Sequence, residues 1–417
     1  MDSSSNLTSL PEERFGEEEQ LQHQSKETSS AASSAFSSIP NRPPIQASLQ
    51  KYSPIGWLGY FDQEDDIHIP DSNDVNGSFF WLLDYLSFTY IRQDRVDQLY
   101  FVCMEAAIVD LNIFRLLSFA LAASKIKEKA RVVAMDLRGH GKSSTENELD
   151  LSIETLCDDV VAVLNTMYGD TPPAIVLVGH SMGGSVAIQV AAKKALSSLS
   201  GLVVVDVVEG TAMASLIHMQ KILSSRMQYF STIEKAIEWS VRGGSLRNIE
   251  SARVSIPGTL KYDDSKKCYI YRTQLEETEQ HWRGWEMGLL CEVIYLHFIP
   301  TAITEAFWVS ITIASAANFW VEMEKCYWYE GLSEKFLSCP APKLLLLAGT
   351  DRLDRPLTIG QMQGKFQMVV VRHTGHAIQE DVPDEFASLM LNFISRNRIG
   401  PHGIEIPAIR RPSQFQP

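Results

Sequence analysis

Hydrophobic and polar positions change pattern several times along the chain. Residues 1–50 carry few large apolar side chains among Ser, Glu and Gln, as in Ser29-Ser30-Ala31-Ala32-Ser33-Ser34. Such a segment buries too little apolar surface to offset its ordering entropy, so the pattern predicts a disordered tail ahead of a folded region over 51–417. From about 117 onward, apolar runs of strand length alternate with stretches of helical spacing. Phe119 to Ile126 reads as a helix and Arg131-Val132-Val133-Ala134-Met135 as a short strand. Ile153, Leu156, Val160, Val161 and Leu164 recur at helical spacing, and Ala174-Ile175-Val176-Leu177-Val178 is again a strand. Leu202-Val203-Val204-Val205, Lys343-Leu344-Leu345-Leu346-Leu347 and Gln367-Met368-Val369-Val370-Val371 follow, with a last helix from Pro383 to Arg396. Unbroken apolar strands alternating with helices predict an α/β fold, a mostly parallel sheet flanked by helices on both faces.

Two stretches depart from that alternation. Between about 208 and 285 the pattern is more polar and mainly helical, from Ala212 to Leu223 and from Ser231 to Val241. Placed between sheet strands, it predicts a helical cap insertion. The stretch at about 285–327 is strongly apolar, as in Phe307-Trp308-Val309-Ser310-Ile311-Thr312-Ile313-Ala314. Its longest uncharged run, between Glu305 and Glu322, falls short of the ~20 residues that cross a bilayer, so no membrane span is expected.

The strand ending at Val178 runs into Gly179-His180-Ser181-Met182-Gly183-Gly184 and then a small-residue helix, Ser185 to Ala192. A Gly-x-Ser-x-Gly between strand and helix is a nucleophile elbow, in which glycines make room for a strained turn that lifts the serine hydroxyl above the sheet. Serine needs a base, and the base needs an orienting acid. His376, in His373-Thr374-Gly375-His376-Ala377, follows the last strand and is the preferred base. His373 sits at the strand end, where solvent or packing suits it better, and His140 reads as a loop-fixing residue. The chain order Ser, acid, His admits two places for the acid. One is Asp206, after Val203-Val204-Val205. The other is Asp351 or Asp354, in Gly349-Thr350-Asp351-Arg352-Leu353-Asp354, which position alone favours.

Bulk properties narrow the classes. A net charge of −14 argues against nucleic-acid binding. The six cysteines (Cys103, Cys157, Cys268, Cys291, Cys326, Cys339) form no CxxC pair, which points to reduced thiols rather than a disulfide or zinc framework. With no basic and apolar leader at the N-terminus, a cytoplasmic or nuclear location is expected.

Several longer stretches are similar to the protein phosphatase methylesterases, serine esterases of the α/β-hydrolase superfamily. They are Gly56 to Pro70, Asp136-Leu137-Arg138-Gly139-His140-Gly141, Met167-Tyr168-Gly169-Asp170, the elbow, and Asp206-Val207-Val208-Glu209-Gly210-Thr211-Ala212-Met213. Ser251-Ala252-Arg253-Val254-Ser255, Trp328-Tyr329-Glu330-Gly331-Leu332-Ser333 and Gln361-Met362-Gln363-Gly364-Lys365-Phe366-Gln367-Met368 complete them. The resemblance covers about 51–75, 117–284 and 328–417. It implies an α/β-hydrolase fold, with Ser181 as nucleophile, Asp206 as acid, His376 as base and the Met182 N–H as an oxyanion donor. It thereby favours Asp206 over Asp351 and leaves Asp351 and Asp354 as loop-structuring residues. It further implies removal of the methyl ester from the C-terminal leucine of the type 2A phosphatase catalytic subunit, with that subunit as partner and no metal or organic cofactor.

The family pattern is absent at about 76–116 and 285–327. Where the family carries a strand and a His-Gly-Gly-Gly loop, this chain reads Leu99-Tyr100-Phe101-Val102-Cys103-Met104-Glu105-Ala106-Ala107. The glycine loop supplies an oxyanion N–H, and loss of one such donor costs roughly 10²–10³ in rate. The replacement also puts a central strand at stake. Two further readings stay open: a phosphatase-binding pseudo-hydrolase, and a small-ester hydrolase of the same fold. The abrupt edges of both segments suggest alternative splicing or retained non-coding sequence.

Overall fold

The apolar runs read from the sequence pair side by side. The computed structural model describes residues 50–70, 85–92, 99–106, 116–145, 147–169, 172–216, 218–273, 275, 281, 328–349 and 353–400, with backbone alone for 85–92 and 99–106. All belong to the unit Ile45–Pro417. Its main strands are β1 (Gln63–Pro70), β2 (Tyr85–Arg92), β3 (Leu99–Ala106), β4 (Arg131–Asp136), β5 (Ala174–Ser181) and β6 (Leu199–Val205). After a small separate sheet of β7 (Tyr229–Phe230), β8 (Leu260–Asp263) and β9 (Cys268–Tyr271) come β10 (Lys343–Leu347) and β11 (Gln367–Val370). The eight-stranded sheet has the order β1-β2-β4-β3-β5-β6-β10-β11. β2 runs antiparallel to both its neighbours, and every pairing from β4 to β11 is parallel.

Side-chain alternation explains why the central strands are apolar throughout. Val133, Met135, Leu177, Leu202, Val204, Leu345 and Leu347 enter one core cluster, with the helices Ile153–Tyr168 and Met182–Lys193. Val132, Ala134, Val176, Val178, Val203, Val205, Leu344 and Leu346 enter the other, with the helices Ala120–Ile126 and Pro383–Asn397. Consecutive strand residues face opposite ways, so a sheet covered on both sides has no polar face.

Two sequence expectations are corrected. The atypical segment does not cost the sheet a central strand. β3 pairs with β4 from Tyr100 to Glu105 and with β5 over its whole length, and β2 bridges β1 and β4. Pairing is a backbone property, and Leu99-Tyr100-Phe101-Val102 has strand propensity without the family motif. Between β6 and β10 the chain is less uniformly helical than its pattern suggests. The stretch read as one helix from Ala212 to Leu223 is two, Glu209–Leu216 and Met219–Ser225. The next helix is Ile233–Arg242, N-capped by the Thr232 side chain, and Ile249–Ser255 follows, capped by Asn248. The antiparallel sheet β7-β9-β8 went unread because its strands are two to four residues long, too short to show alternation. Residues 1–49 and 282–327, which include the expected tail and the apolar stretch, lie outside the described residues.

Candidate active site

β5 ends at Ser181 and the next helix begins at Met182, so no linker separates strand from helix. Ser181 has φ 52° and ψ −120°, in a region that costs a non-glycine residue strain energy. The turn is tight. A Cβ on Gly179 would lie 2.1 Å from the Gly183 carbonyl oxygen, and one on Gly184 would lie 2.7 Å from Val207 Cγ1. Both positions therefore require glycine, and the elbow follows from local sequence.

Asp206 comes directly after β6 and also has a positive φ, 51°. Its backbone N–H donates to the Leu346 carbonyl at 2.8 Å, tying it to β10. The Ala348 N–H donates to Oδ1 at 2.8 Å, and His376 Nδ1 lies 2.8 Å from Oδ2. An ionised carboxylate accepts only, so Nδ1 carries the proton and the neutral ring leaves Nε2 free to accept one. His376 Nε2 is buried and has no hydrogen-bond partner among the described residues. Ser181, Asp206 and His376 line one cavity of about 440 Å³.

The base loop is itself held in place. The Gly375 N–H donates to Asp381 Oδ2 at 2.6 Å, and the Arg247 N–H donates to Oδ1 of the same carboxylate at 2.7 Å. Asp381 thus ties the loop carrying His376 to the chain before the helix Ile249–Ser255. The His180 ring lies 4.5 Å from that of His376, with Nε2 2.9 Å from the His376 carbonyl oxygen. Sequence reasoning assigned no role to Asp381 or His180, because both act through backbone atoms that leave no motif.

The other candidates lie elsewhere. His373 is exposed with φ 64°. His140 is buried with Nδ1 2.5 Å from the Arg138 carbonyl oxygen, and burial pushes its pKa down to about 4. Beside it the Arg138 guanidinium grips Asp159 through two bonds of 2.8 Å. Asp354 caps the helix Arg355–Met362 and accepts the Ser333 hydroxyl at 2.5 Å, while Asp351 lies outside the described residues. Met182 is the first helical residue, where backbone N–H groups lack intrahelical acceptors and attract anions. Ala106 is in register with Ser181, but the residues from Ala107, where a second oxyanion donor is expected, lie outside the described ones.

The sequence reading attached no chemistry to Tyr329. It lines the same cavity, is 0% exposed, and burial pushes its phenol pKa up, so the hydroxyl stays protonated. The cavity walls also include Val207, Val208, Thr211, Ala212 and Arg247. A larger cavity of about 1060 Å³, between Met227 and Cys268, contains none of these catalytic candidates. Among the described residues, no group of three His, Cys, Asp or Glu is placed to hold a metal ion, and no helix is long and apolar enough to cross a membrane. Cys157, Cys268 and Cys339 are free and buried, with burial raising the Cys157 thiol to about 12.

Known proteins resemble this chain in sequence and fold. Residues 111–389 match the model of the alpha/beta hydrolase family. The chain is 38% identical over 387 residues to a bovine protein phosphatase methylesterase 1, covering 86% of this chain and 94% of the relative. It is 35% identical over 367 residues to the protein of that name from Yarrowia lipolytica, covering 84% of this chain and 74% of the relative. Among solved structures, an E-2-(acetamidomethylene)succinate hydrolase superposes with a TM-score of 0.53 at 15% identity, covering 80% of this chain and 99% of that one. That last likeness concerns the fold alone.

Proposed function

Because the chain belongs to the protein phosphatase methylesterase family of α/β-hydrolases, and is thus a carboxylic ester hydrolase, we propose that it demethylates the C-terminal leucine of the type 2A phosphatase catalytic subunit, using Ser181, His376 and Asp206. The observation that carries this reading is the 2.8 Å contact between His376 Nδ1 and Asp206, in a cavity that Ser181 also lines. The relatives' names support a methyl ester on a protein phosphatase as the substrate.

The mechanism follows from the groups. Ser181 Oγ attacks the ester carbonyl while His376 Nε2 takes its proton, and Asp206 holds the tautomer and stabilises the imidazolium. The Met182 N–H, at a helix N-terminus, stabilises the oxyanion. Collapse expels methanol, which takes the proton from His376. A water then gives its proton to His376 and attacks the acyl-enzyme, releasing the leucine carboxylate and regenerating Ser181.

A fluorophosphonate probe tests the nucleophile. The reading expects stoichiometric labelling of the folded chain and none of Ser181→Ala. A folded chain that stays unlabelled would instead indicate a binding protein with an idle triad.

A further inference from the structure

Tyr329 is out of place as a purely structural residue. It comes three residues before the start of the helix Leu332–Ser338 and next to Trp328, whose indole N–H donates to the Leu151 carbonyl at 2.5 Å. The Trp328 carbonyl accepts the Ser185 hydroxyl from the first turn of the helix behind Ser181. Tyr329 is thereby held beside the elbow by its neighbour Trp328. Its ring is fully buried, yet its hydroxyl makes no hydrogen bond of normal geometry among the described residues. Ser181 is the polar side chain near enough to act on it. Buried hydroxyls are normally paired, because leaving one unpaired sacrifices its hydration without return. A phenylalanine would fill the same space without that cost.

We propose that Tyr329 is a catalytic residue, its hydroxyl donating a hydrogen bond to the negatively charged oxygen that forms when Ser181 attacks the ester. This rests on the proposed serine mechanism. The cavity supplies the geometry: Ser181, His376 and Tyr329 face one space, and both His376 Nε2 and Tyr329 Oη are buried with no partner there. The first is an acceptor waiting for the serine proton. The second is a donor that has no well-formed bond in the resting protein and only the attacking serine beside it. Tyrosine hydroxyls serve as oxyanion donors when held in place before charge develops, because no reorganisation is then needed.

The test is Tyr329→Phe, which removes one oxygen and keeps the packing. Two substrates are compared, p-nitrophenyl acetate and the methylated phosphatase catalytic subunit, alongside thermal unfolding. The proposal expects kcat on p-nitrophenyl acetate to fall by about 10²-fold with KM within twofold, while Tm is unchanged or higher. A merely structural hydroxyl would leave kcat alone. A kcat within twofold of the unsubstituted chain overturns the proposal. If the unsubstituted chain hydrolyses p-nitrophenyl acetate but never the phosphatase ester, the substrate assignment fails while a loss of kcat in Tyr329→Phe still supports the role of Tyr329.

Discussion

Among the described residues, Ser181, Asp206 and His140 are held at a cost to stability, and each cost has an identifiable source. Ser181 and Asp206 have positive φ, 52° and 51°, where a side chain crowds its own backbone. His140 is buried, and its pKa is pushed from the ordinary 6.5 down to about 4 by loss of solvent, against hydrogen bonds to the Arg138 and Leu137 backbone that act the other way. The depressed value fixes the sign of a pH effect. Above pH 6.5 the ring is neutral in both folded and unfolded chains, and the stability is fully present. As pH falls from 6.5 toward 4, the unfolded chain takes up a proton that the folded chain refuses. The folded state then loses up to about 3 kcal/mol across that window. Thermal unfolding at a series of pH values checks this: His140→Gln should flatten the decline in Tm between 6.5 and 4, and parallel curves for the two proteins would contradict it.

At the scale of the element, the elbow is a steric necessity. Gly179 faces the Gly183 carbonyl so closely that an added Cβ would sit 2.1 Å from its oxygen. Both groups are backbone, so no change of rotamer relieves the clash. Gly179→Ala should destabilise the fold by about 3 kcal/mol or more in denaturant unfolding. An unchanged midpoint would show that strand and helix can separate there. This element was fully legible in the sequence, because its glycines, serine and flanking strand and helix are contiguous. β3 was the opposite case. Its family motif is missing, so a search for the motif loses it, while its pairing with both β4 and β5 depends only on backbone groups and strand propensity. The three short strands β7, β8 and β9 escaped for a third reason: two to four residues carry no readable period.

Across the whole molecule, legibility falls with distance along the chain. Ser181 and His376 were named from local motifs, and the order of apolar runs gave the parallel sheet. Position alone favoured Asp351 or Asp354 over Asp206 as the acid, and it was similarity to known sequences that favoured Asp206. The geometry that brings Asp206 to His376 is non-local. β6 pairs with β10 although they are more than a hundred residues apart, and this brings the Ala348 N–H to Asp206. Asp354 is occupied instead in capping its own helix. Tyr329 is similarly invisible until distant segments meet, since it lines the site from a separate stretch of chain, and Asp381 until Arg247 reaches it. Methanol released from the intact methylated type 2A catalytic subunit reports whether the assembled serine site hydrolyses the methyl ester of a phosphatase tail, as proposed. One methanol per methylated subunit is expected with the unsubstituted chain and none with Ser181→Ala; a folded, unsubstituted chain that leaves the subunit methylated would rule the proposed reaction out.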